Sequence, residues 1–156
     1  MNPKPAIELF RERLLEALKG KSLDDAEVLV TVKPLTPQEA IGNPLRRDYP
    51  IIEGRERVIE AVVMGSRGQA FTDAPTGHSA RLGEIVEMPM ETSRERALFL
   101  ATANAALAHL GLAKGTVHCK DEDPEGCASE IAARAKALGV ARVGLIGLNP
   151  AIAEAL

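Results

Sequence analysis

Residues 93–110 form an Ala- and Leu-rich segment that is apolar on nearly every side. Thr92 and Glu95 stand at its start with the spacing of a capping box, in which each residue satisfies the backbone amide of the other. A helix that is apolar all round has to be buried, so we expect this helix to lie between a sheet and other helices. Because the chain has three Phe, one Tyr and no Trp, the core around the helix must be assembled from aliphatic side chains.

The first half of the chain alternates short β-branched runs with Pro- and Gly-rich connections, and only its beginning has the apolar periodicity of a helix. In chain order, the pattern predicts a helix over 5–19 that stops at Gly20, a strand over 26–33, an irregular connection over 34–50 with at most a helical turn at 37–41, a hairpin over 57–73 with its turn at 65–68, and a short strand near 82–88.

The last forty or so residues have a different pattern. Asp123 and Pro124 mark a helix start, and this helix is expected to run to about Leu138 and stop at Gly139. An apolar strand over 140–147 and a helix from Pro150 to 156 follow, which is how a Rossmann-like βαβ unit opens. The predicted fold class is α+β. Residues 1–115 form a small, mainly antiparallel sheet with helices packed on one face, and residues 116–156 form the first strand and helix of a Rossmann-like unit.

Charge and hydropathy exclude two classes of partner. The net charge is -3 with scattered Lys and Arg, and the few aromatic residues cannot build a base-stacking surface, so nucleic acid is not an expected partner. No apolar run approaches the roughly 18 residues that span a bilayer, and the amino terminus lacks the apolar stretch of a signal peptide. We therefore expect a cytoplasmic protein whose two cysteines stay reduced.

Chemistry is concentrated in residues 115–127, which contain both cysteines, one of the three histidines and several carboxylates. These side chains are the usual ligands of a soft or borderline divalent metal such as zinc. Cys127 is expected in the first turn of a helix, where exposed amides and the helix dipole favour the thiolate form that binds metal. Cys119 and Cys127 are the first-choice ligands, and His118 and Asp121 are the second choice.

The spacing in this segment also has a structural interpretation. If residues 116–120 are extended, His118 and Cys119 point to opposite faces, and the two cysteines lack the short spacing of a zinc knuckle. Cys127 shares a helical stripe with three other apolar residues and would then begin the buried face of the helix. Those residues are Ile131, Ala135 and Leu138. The absence of a standard ligand spacing favours this structural interpretation over the metal site.

A second candidate site lies at the turn before the last helix. Gly144, Gly147 and Asn149 follow an expected strand and precede a helix, so they could cradle an anionic group of a nucleotide or another cofactor. The run is not the dinucleotide-binding fingerprint, and Pro150 removes one amide donor. The alternative interpretation is that the glycines serve only to let strand and helix approach each other.

The loop over 72–78 is a third candidate, because Asp73 and His78 could act as acid and base or as hard metal ligands. An ordinary solvated loop with Asp73 capping a turn before Pro75 is favoured. A cysteine hydrolase is disfavoured, since His118 and Cys119 are neighbours and diverge on an extended chain. We assign no catalytic residue.

These motifs in combination resemble a known family. The runs that carry the resemblance are Gly65-Ser-Arg-Gly-Gln-Ala-Phe-Thr-Asp73, Glu95-Arg-Ala97 before Asn104-Ala, His118-Cys-Lys-Asp-Glu-Asp-Pro-Glu-Gly-Cys127 and Val143-Gly-Leu-Ile-Gly-Leu-Asn-Pro150. Together they look like the heavy-metal chelation family, whose members have an enolase-N-terminal-like α+β domain followed by a Rossmann-like domain. The similarity covers most of residues 26–156. It implies a protein that binds a metal or a small ligand between its two domains, with residues 118–127 at the join, and a Rossmann-like domain that continues past Leu156.

Three functions are therefore weighed. The favoured one is non-enzymatic binding of a divalent metal or a metal-bearing small molecule. The alternative is an enzyme domain that binds a nucleotide or another small molecule at the junction with a Rossmann-like domain. The third is an interaction module whose last strand docks on a partner. That partner could be a second copy of the chain, so a homo-oligomer is a further expectation to test.

Overall fold

A computed structural model describes residues 4–33, 36–114, 123–145 and 149–156. The chain divides into two compact units: unit 1 is Met1–Lys33 with Arg57–Gly115, and unit 2 is Pro34–Glu56 with Thr116–Leu156. The sequence pattern assigns Pro34–Glu56 to the first domain, whereas the structure groups it with the second unit. This segment connects two strands that lie side by side in unit 1, so it leaves that unit and returns to it.

The described elements confirm the α+β class. Unit 1 carries every described strand and the longest helix, and unit 2 consists of helices and irregular segments. In chain order the elements are α1 (Ala6–Leu18), β1 (Glu27–Lys33), α2 (Pro37–Ile41), α3 (Pro50–Glu53), β2 (Arg57–Val63), β3 (Ser66–Thr72), β4 (His78–Arg81), α4 (Leu82–Glu87), α5 (Ser93–His109), α6 (Pro124–Ala137) and α7 (Pro150–Ala155).

The four strands form one antiparallel sheet in the order β3-β2-β1-β4. Val30 of β1 lies opposite Ala61 of β2, which lies opposite Gly68 of β3. Side chains on this face alternate with those of the other face, and Val30 and Ala61 are fully buried. This face of the sheet is the one that α5 covers.

Gly68 allows α5 to lie directly on the sheet. A Cβ atom at this position would be 2.1 Å from the Ala105 amide nitrogen and 2.5 Å from the Ala101 carbonyl oxygen. Asn104 donates from Nδ2 to the Gln69 carbonyl oxygen at 2.9 Å, one residue along β3. The close approach of helix and strand depends on the absence of a side chain at Gly68 and on alanines on the facing helix.

The buried helix is confirmed together with its capping box. The Glu95 amide donates to the Thr92 hydroxyl at 3.2 Å, and the Glu95 carboxylate accepts from the Thr92 amide at 2.9 Å. The hydrogen bond from the Thr92 amide, aided by the Thr92 hydroxyl, lowers the pKa of Glu95. Phe99 of α5 is fully buried and meets Phe10 of α1 edge to face, with ring centroids 5.8 Å apart. Two of the chain's three Phe residues thus form one contact in an otherwise aliphatic core.

Two local predictions in unit 1 are corrected. The hairpin turn is Met64-Gly65, both with positive φ, and not 65–68. Such a two-residue turn matches the twist of the strands it joins. The strand expected near 82–88 is wrong, since these residues form α4. Leu82, Ile85 and Val86 have the i, i+3, i+4 spacing of a buried helical face, and the strand precedes them as β4.

At the end of the chain the structure confirms the predicted helix but not the part of the predicted strand that it describes. The predicted strand over 140–147 is not formed in residues 140–145, and residues 146–148 lie outside the described part of the chain. The helix after it is present as α7. In the described ranges no helix has the length and apolarity to cross a membrane.

Candidate functional site

The described part of the candidate metal segment is the first turn of α6, in unit 2. Asp123 is its N-cap, as predicted, and its carboxylate accepts from the Gly126 amide at 2.6 Å. Pro124 occupies the first helical position and is buried. The Cys127 amide donates to the Asp123 carbonyl oxygen at 3.1 Å, so this turn is regular helix. The Asp123 cap and Pro124 therefore set the start of α6, and with it the position of Cys127 in the first turn.

Cys127 is a free, half-buried thiol. The prediction that it begins the buried face of the helix is wrong, because Ile131 and Leu138 on the same stripe are 47% and 72% exposed. The buried face consists of Pro124, Ala128 and Ala132 instead. These residues repeat at intervals of four, so α6 packs through small side chains and leaves the larger apolar ones outside. Cys127 is thus next to the buried face and not within it.

The other predicted ligands fall outside the described residues. His118, Cys119 and Asp121 all lie in 115–122, so the structure does not place them relative to Cys127. Within the described ranges, no group of three or more His, Cys, Asp and Glu side chains could hold a metal ion. A metal site that includes Cys127 therefore has to draw ligands from residues 115–122 or from another molecule.

Glu125, two residues before Cys127, connects the start of α6 to the segment between β1 and β2. Its carboxylate accepts from the Arg46 amide at 3.1 Å and from the Tyr49 hydroxyl at 3.4 Å. Burial raises the pKa of Glu125, but hydrogen bonds from the Arg46 amide and other donors outweigh burial, so its pKa lies below the ordinary value. The carboxylate is therefore kept ionised as an acceptor at the amino end of α6.

The side chain of Arg46 makes a second set of contacts in unit 2. Its guanidinium binds both oxygens of Asp48, at 2.9 and 2.7 Å, and also contacts the carboxylate of Glu154 in α7. The hydrogen bonds from Arg46 lower the pKa of Asp48. We call Arg46, Asp48, Glu125 and Glu154 the Arg46 clasp. It joins residues 45–49 to both α6 and α7, which belong to the same unit.

The turn before α7 shows how its predicted binding residues are used. Asn149 caps the helix, and its Oδ1 accepts from the Ile152 amide at 3.0 Å. Gly144 is exposed, and a Cβ atom there would meet nothing within 4 Å. Gly147 lies outside the described residues. Asn149 therefore already uses its side-chain oxygen within the helix that it caps, and Gly144 is not required by a close approach to helix or strand.

The loop over 72–78 has the local bonding of a turn. The Thr72 hydroxyl accepts from the Ala74 amide at 3.0 Å, and Asp73 is exposed. His78 is the first residue of β4 and pairs with Val30. The loop interpretation is supported by this bonding, and nothing in it brings Asp73 and His78 together.

Comparisons of the chain with protein-family models, curated proteins and solved structures find no match. The resemblance to the heavy-metal chelation family therefore stays a prediction. So do the enolase-N-terminal-like and Rossmann-like descriptions of its two parts.

Sequence reasoning missed the Arg46 clasp. In the sequence, Arg46 is one of the scattered basic residues and Glu125 is one of several carboxylates in residues 115–127. The Arg46 amide and the Glu125 carboxylate are 79 residues apart in sequence. The segment around Arg46 has no periodicity from which such a pairing can be inferred.

Proposed function

We propose that this chain is a non-enzymatic binding protein for a divalent metal ion, or for a small molecule that carries one. Cys127 is the ligand from the described part of the chain, and Cys119, His118 and Asp121 are the ligands from residues 115–122. Thiolate and imidazole ligands suit zinc and other borderline or soft ions. The proposed site needs reduced thiols, and we place the protein in the cytosol for that reason.

One observation carries this proposal. Cys127 is a free thiol in the first turn of α6 that does not belong to the buried stripe of the helix. The alternative interpretation, in which Cys127 is a core residue, requires the stripe of Cys127, Ile131 and Leu138 to be buried, and Ile131 and Leu138 are exposed. A half-buried thiol that follows residues 115–122 in sequence, which include a second cysteine, a histidine and an aspartate, is well situated to bind metal.

The test is metal content and metal affinity of the purified chain. Protein prepared without chelator is analysed for bound metals, and the stripped protein is then titrated with zinc under reducing conditions. We expect about one zinc per chain, and loss of this binding in the Cys119→Ser/Cys127→Ser double variant because thiolates are the strongest ligands in the set.

Glu130→Gln is the matched control, since Glu130 is an exposed carboxylate on the same helix outside the proposed ligand set. It should bind zinc like the wild type, and circular dichroism should show the same fold for all variants. Equal zinc binding by the double variant would contradict the proposal. Stabilisation by nucleotides with no response to any metal would favour the enzyme alternative instead.

A further inference from the structure

β3 is the last strand at one side of the sheet, so among the described strands it has a free edge. Such an edge presents backbone amides and carbonyls that can pair with a strand of another molecule. The strand at the opposite side, β4, has four residues, whereas β3 has seven. β3 is therefore the longer of the two edges at which a second strand could pair.

The hairpin register determines which backbone groups of β3 point to this edge. The residues on either side of the two-residue turn, Val63 and Ser66, lie opposite each other and form a hydrogen-bonded pair. Hydrogen-bonded pairs alternate along an antiparallel ladder, so every second residue from Ser66 bonds to β2. The amides and carbonyls of the residues between them, Arg67, Gln69 and Phe71, point away from β2 to the free edge.

Asn104 of α5 occupies the middle of this edge. α5 lies directly on β3 at Gly68, and the exposed Asn104 side chain donates from Nδ2 to the outward Gln69 carbonyl oxygen at 2.9 Å. Among the described residues, no other group bonds to the outward amides and carbonyls of Arg67 and Phe71. The central carbonyl of the edge is thus occupied from within unit 1, and the positions on either side of it stay open.

The edge is complementary to a second copy of itself. Antiparallel pairing of two β3 strands about a two-fold axis at Gln69 places Arg67 opposite Phe71 of the second copy, and no like charges face each other. Both side chains are more than half exposed, at 70% for Arg67 and 52% for Phe71. A cation beside an aromatic ring across two strands is a favourable pair. The groups of the edge therefore favour self-pairing, and Asn104 lies in its way.

We propose that Asn104 prevents the chain from pairing with itself through β3. An incoming strand has to displace the Asn104 amide from the Gln69 carbonyl, and the two-fold axis requires this in both copies. Two hydrogen bonds are therefore lost before the new ladder compensates for them. The inference concerns unit 1 alone and does not depend on the proposed metal site.

Self-association of the Asn104→Ala variant tests the proposal. Wild type and variant are compared by sedimentation equilibrium from about 10 µM to about 1 mM, the range in which exposed strand edges associate. Loss of the two bonds from the monomers should raise the association constant about tenfold or more. Hydrogen exchange in the associated variant should be slowed in residues 66–72, which locates the contact at the β3 edge.

Two further variants separate edge pairing from other effects. His109→Ala removes another exposed polar side chain from α5 and should associate like the wild type. Arg67→Pro in the Asn104→Ala chain removes an outward amide without removing a hydrogen bond between β2 and β3, so it should abolish the added association. Circular dichroism should show the same fold for all variants.

Three results would overturn the proposal. The first is an Asn104→Ala chain that associates no more than the wild type, and the second is added association that persists with Arg67→Pro, which would place the contact on another surface. The third is a wild-type dimer with slowed exchange in residues 66–72, which would mean that Asn104 does not block the edge. None of these results bears on zinc binding, so this proposal and the proposed metal site fail separately.

Discussion

The interactions within unit 1 differ in kind from those within unit 2. In unit 1 the described core is a continuous set of buried aliphatic side chains around α5 and the sheet, with Phe99 as its largest member. In unit 2 the described buried apolar residues are few, and they are Tyr49, Ile51, Pro124, Ala128, Ala132 and Ala151. Its segments are joined by the Arg46 clasp, and α6 and α7 each begin with a side-chain cap.

This difference implies that unit 1 is the more stable unit, whereas the proposed metal ligands belong to unit 2. Burial of large apolar side chains contributes the most free energy to folding, so unit 1 should unfold last and as one cooperative body. Partly exposed ion pairs contribute little each and are weakened by salt. Unit 2 should therefore open locally at a smaller free energy, and it is the unit that contains all four proposed metal ligands. The lesson is that the stable sheet domain need not carry the function.

The largest effect is expected at the contact between α5 and β3. Gly68→Ala places a methyl group within 2.1 Å of the backbone of α5, and the helix has to move away from the sheet. We expect the free energy of unfolding to fall by about 3 kcal/mol. Urea denaturation measures this loss.

Gly77→Ala is the matched control, since a Cβ atom there lies 3.6 Å from the Val30 carbonyl oxygen, an ordinary contact. It should change the free energy of unfolding by less than about 0.5 kcal/mol. A Gly68→Ala protein as stable as this control would show that the helix is not packed directly on β3.

The second effect concerns the buried carboxylate of unit 1. Glu60 is 5% exposed and is bound by the Lys33 ammonium at 2.8 Å and the Gln69 amide at 3.0 Å. Burial raises its pKa, but the hydrogen bonds from Lys33 and Gln69 outweigh burial, so the pKa of Glu60 is lowered from 4.5. We expect Glu60→Gln to lower the free energy of unfolding at pH 7 by about 1.5 kcal/mol.

The sign of the pH dependence follows from the lowered pKa. An acid whose pKa is lower in the folded state stabilises the fold while it is ionised, above its unfolded pKa near 4.5. This stabilisation is lost as the pH falls through the folded pKa. The stability difference between wild type and Glu60→Gln, measured by urea denaturation, should therefore shrink below pH 4.5. A difference that stays constant down to pH 3 would contradict the assigned role of Glu60.

A smaller effect compares the helix caps of the two units. Asp123→Ala removes the cap of α6, and Thr92→Ala removes the cap of α5, each worth about 1 kcal/mol. Hydrogen exchange followed by mass spectrometry should show the two losses in different places. The Asp123 variant should open α6 locally, whereas the Thr92 variant should lower the stability of the whole of unit 1. Global destabilisation by both would remove the distinction between the units.

The smallest effect is expected from the side chain of Arg46. Its carboxylate partners Asp48 and Glu154 have side chains 50% and 72% exposed. Arg46→Gln should therefore have little effect on global stability, and its effect should appear as faster amide exchange in α7 at low salt and little difference in 1 M salt. A loss that persists at high salt would mean that Arg46 acts through packing and not through charge.

The sequence predicts most local elements of both units, but not the contacts that join the segments of unit 2. The capping box of Thr92, the apolar segment behind it and the β-branched runs are local signals, and the helix and three of the four strands appear where they indicate. The sequence predicts a strand near 82–88 where α4 (Leu82–Glu87) forms, because a short apolar run fits both periods. The contacts of Arg46 with Glu125 and Glu154 join distant segments of irregular structure, and no local pattern encodes them.

The most direct test of the account is the reactivity of the Cys127 thiol. In the wild-type chain, the reaction of Cys127 with an alkylating reagent is followed under native conditions, with and without zinc, and peptide mass spectrometry distinguishes it from the reaction of Cys119. We predict that Cys127 reacts in the folded protein, at a rate far above that of global unfolding, because it lies beside the buried face of α6 and unit 2 opens locally. Zinc should slow the reaction. Labelling only at the rate of global unfolding, unaffected by zinc, would contradict both the availability of this thiol and the proposed metal site.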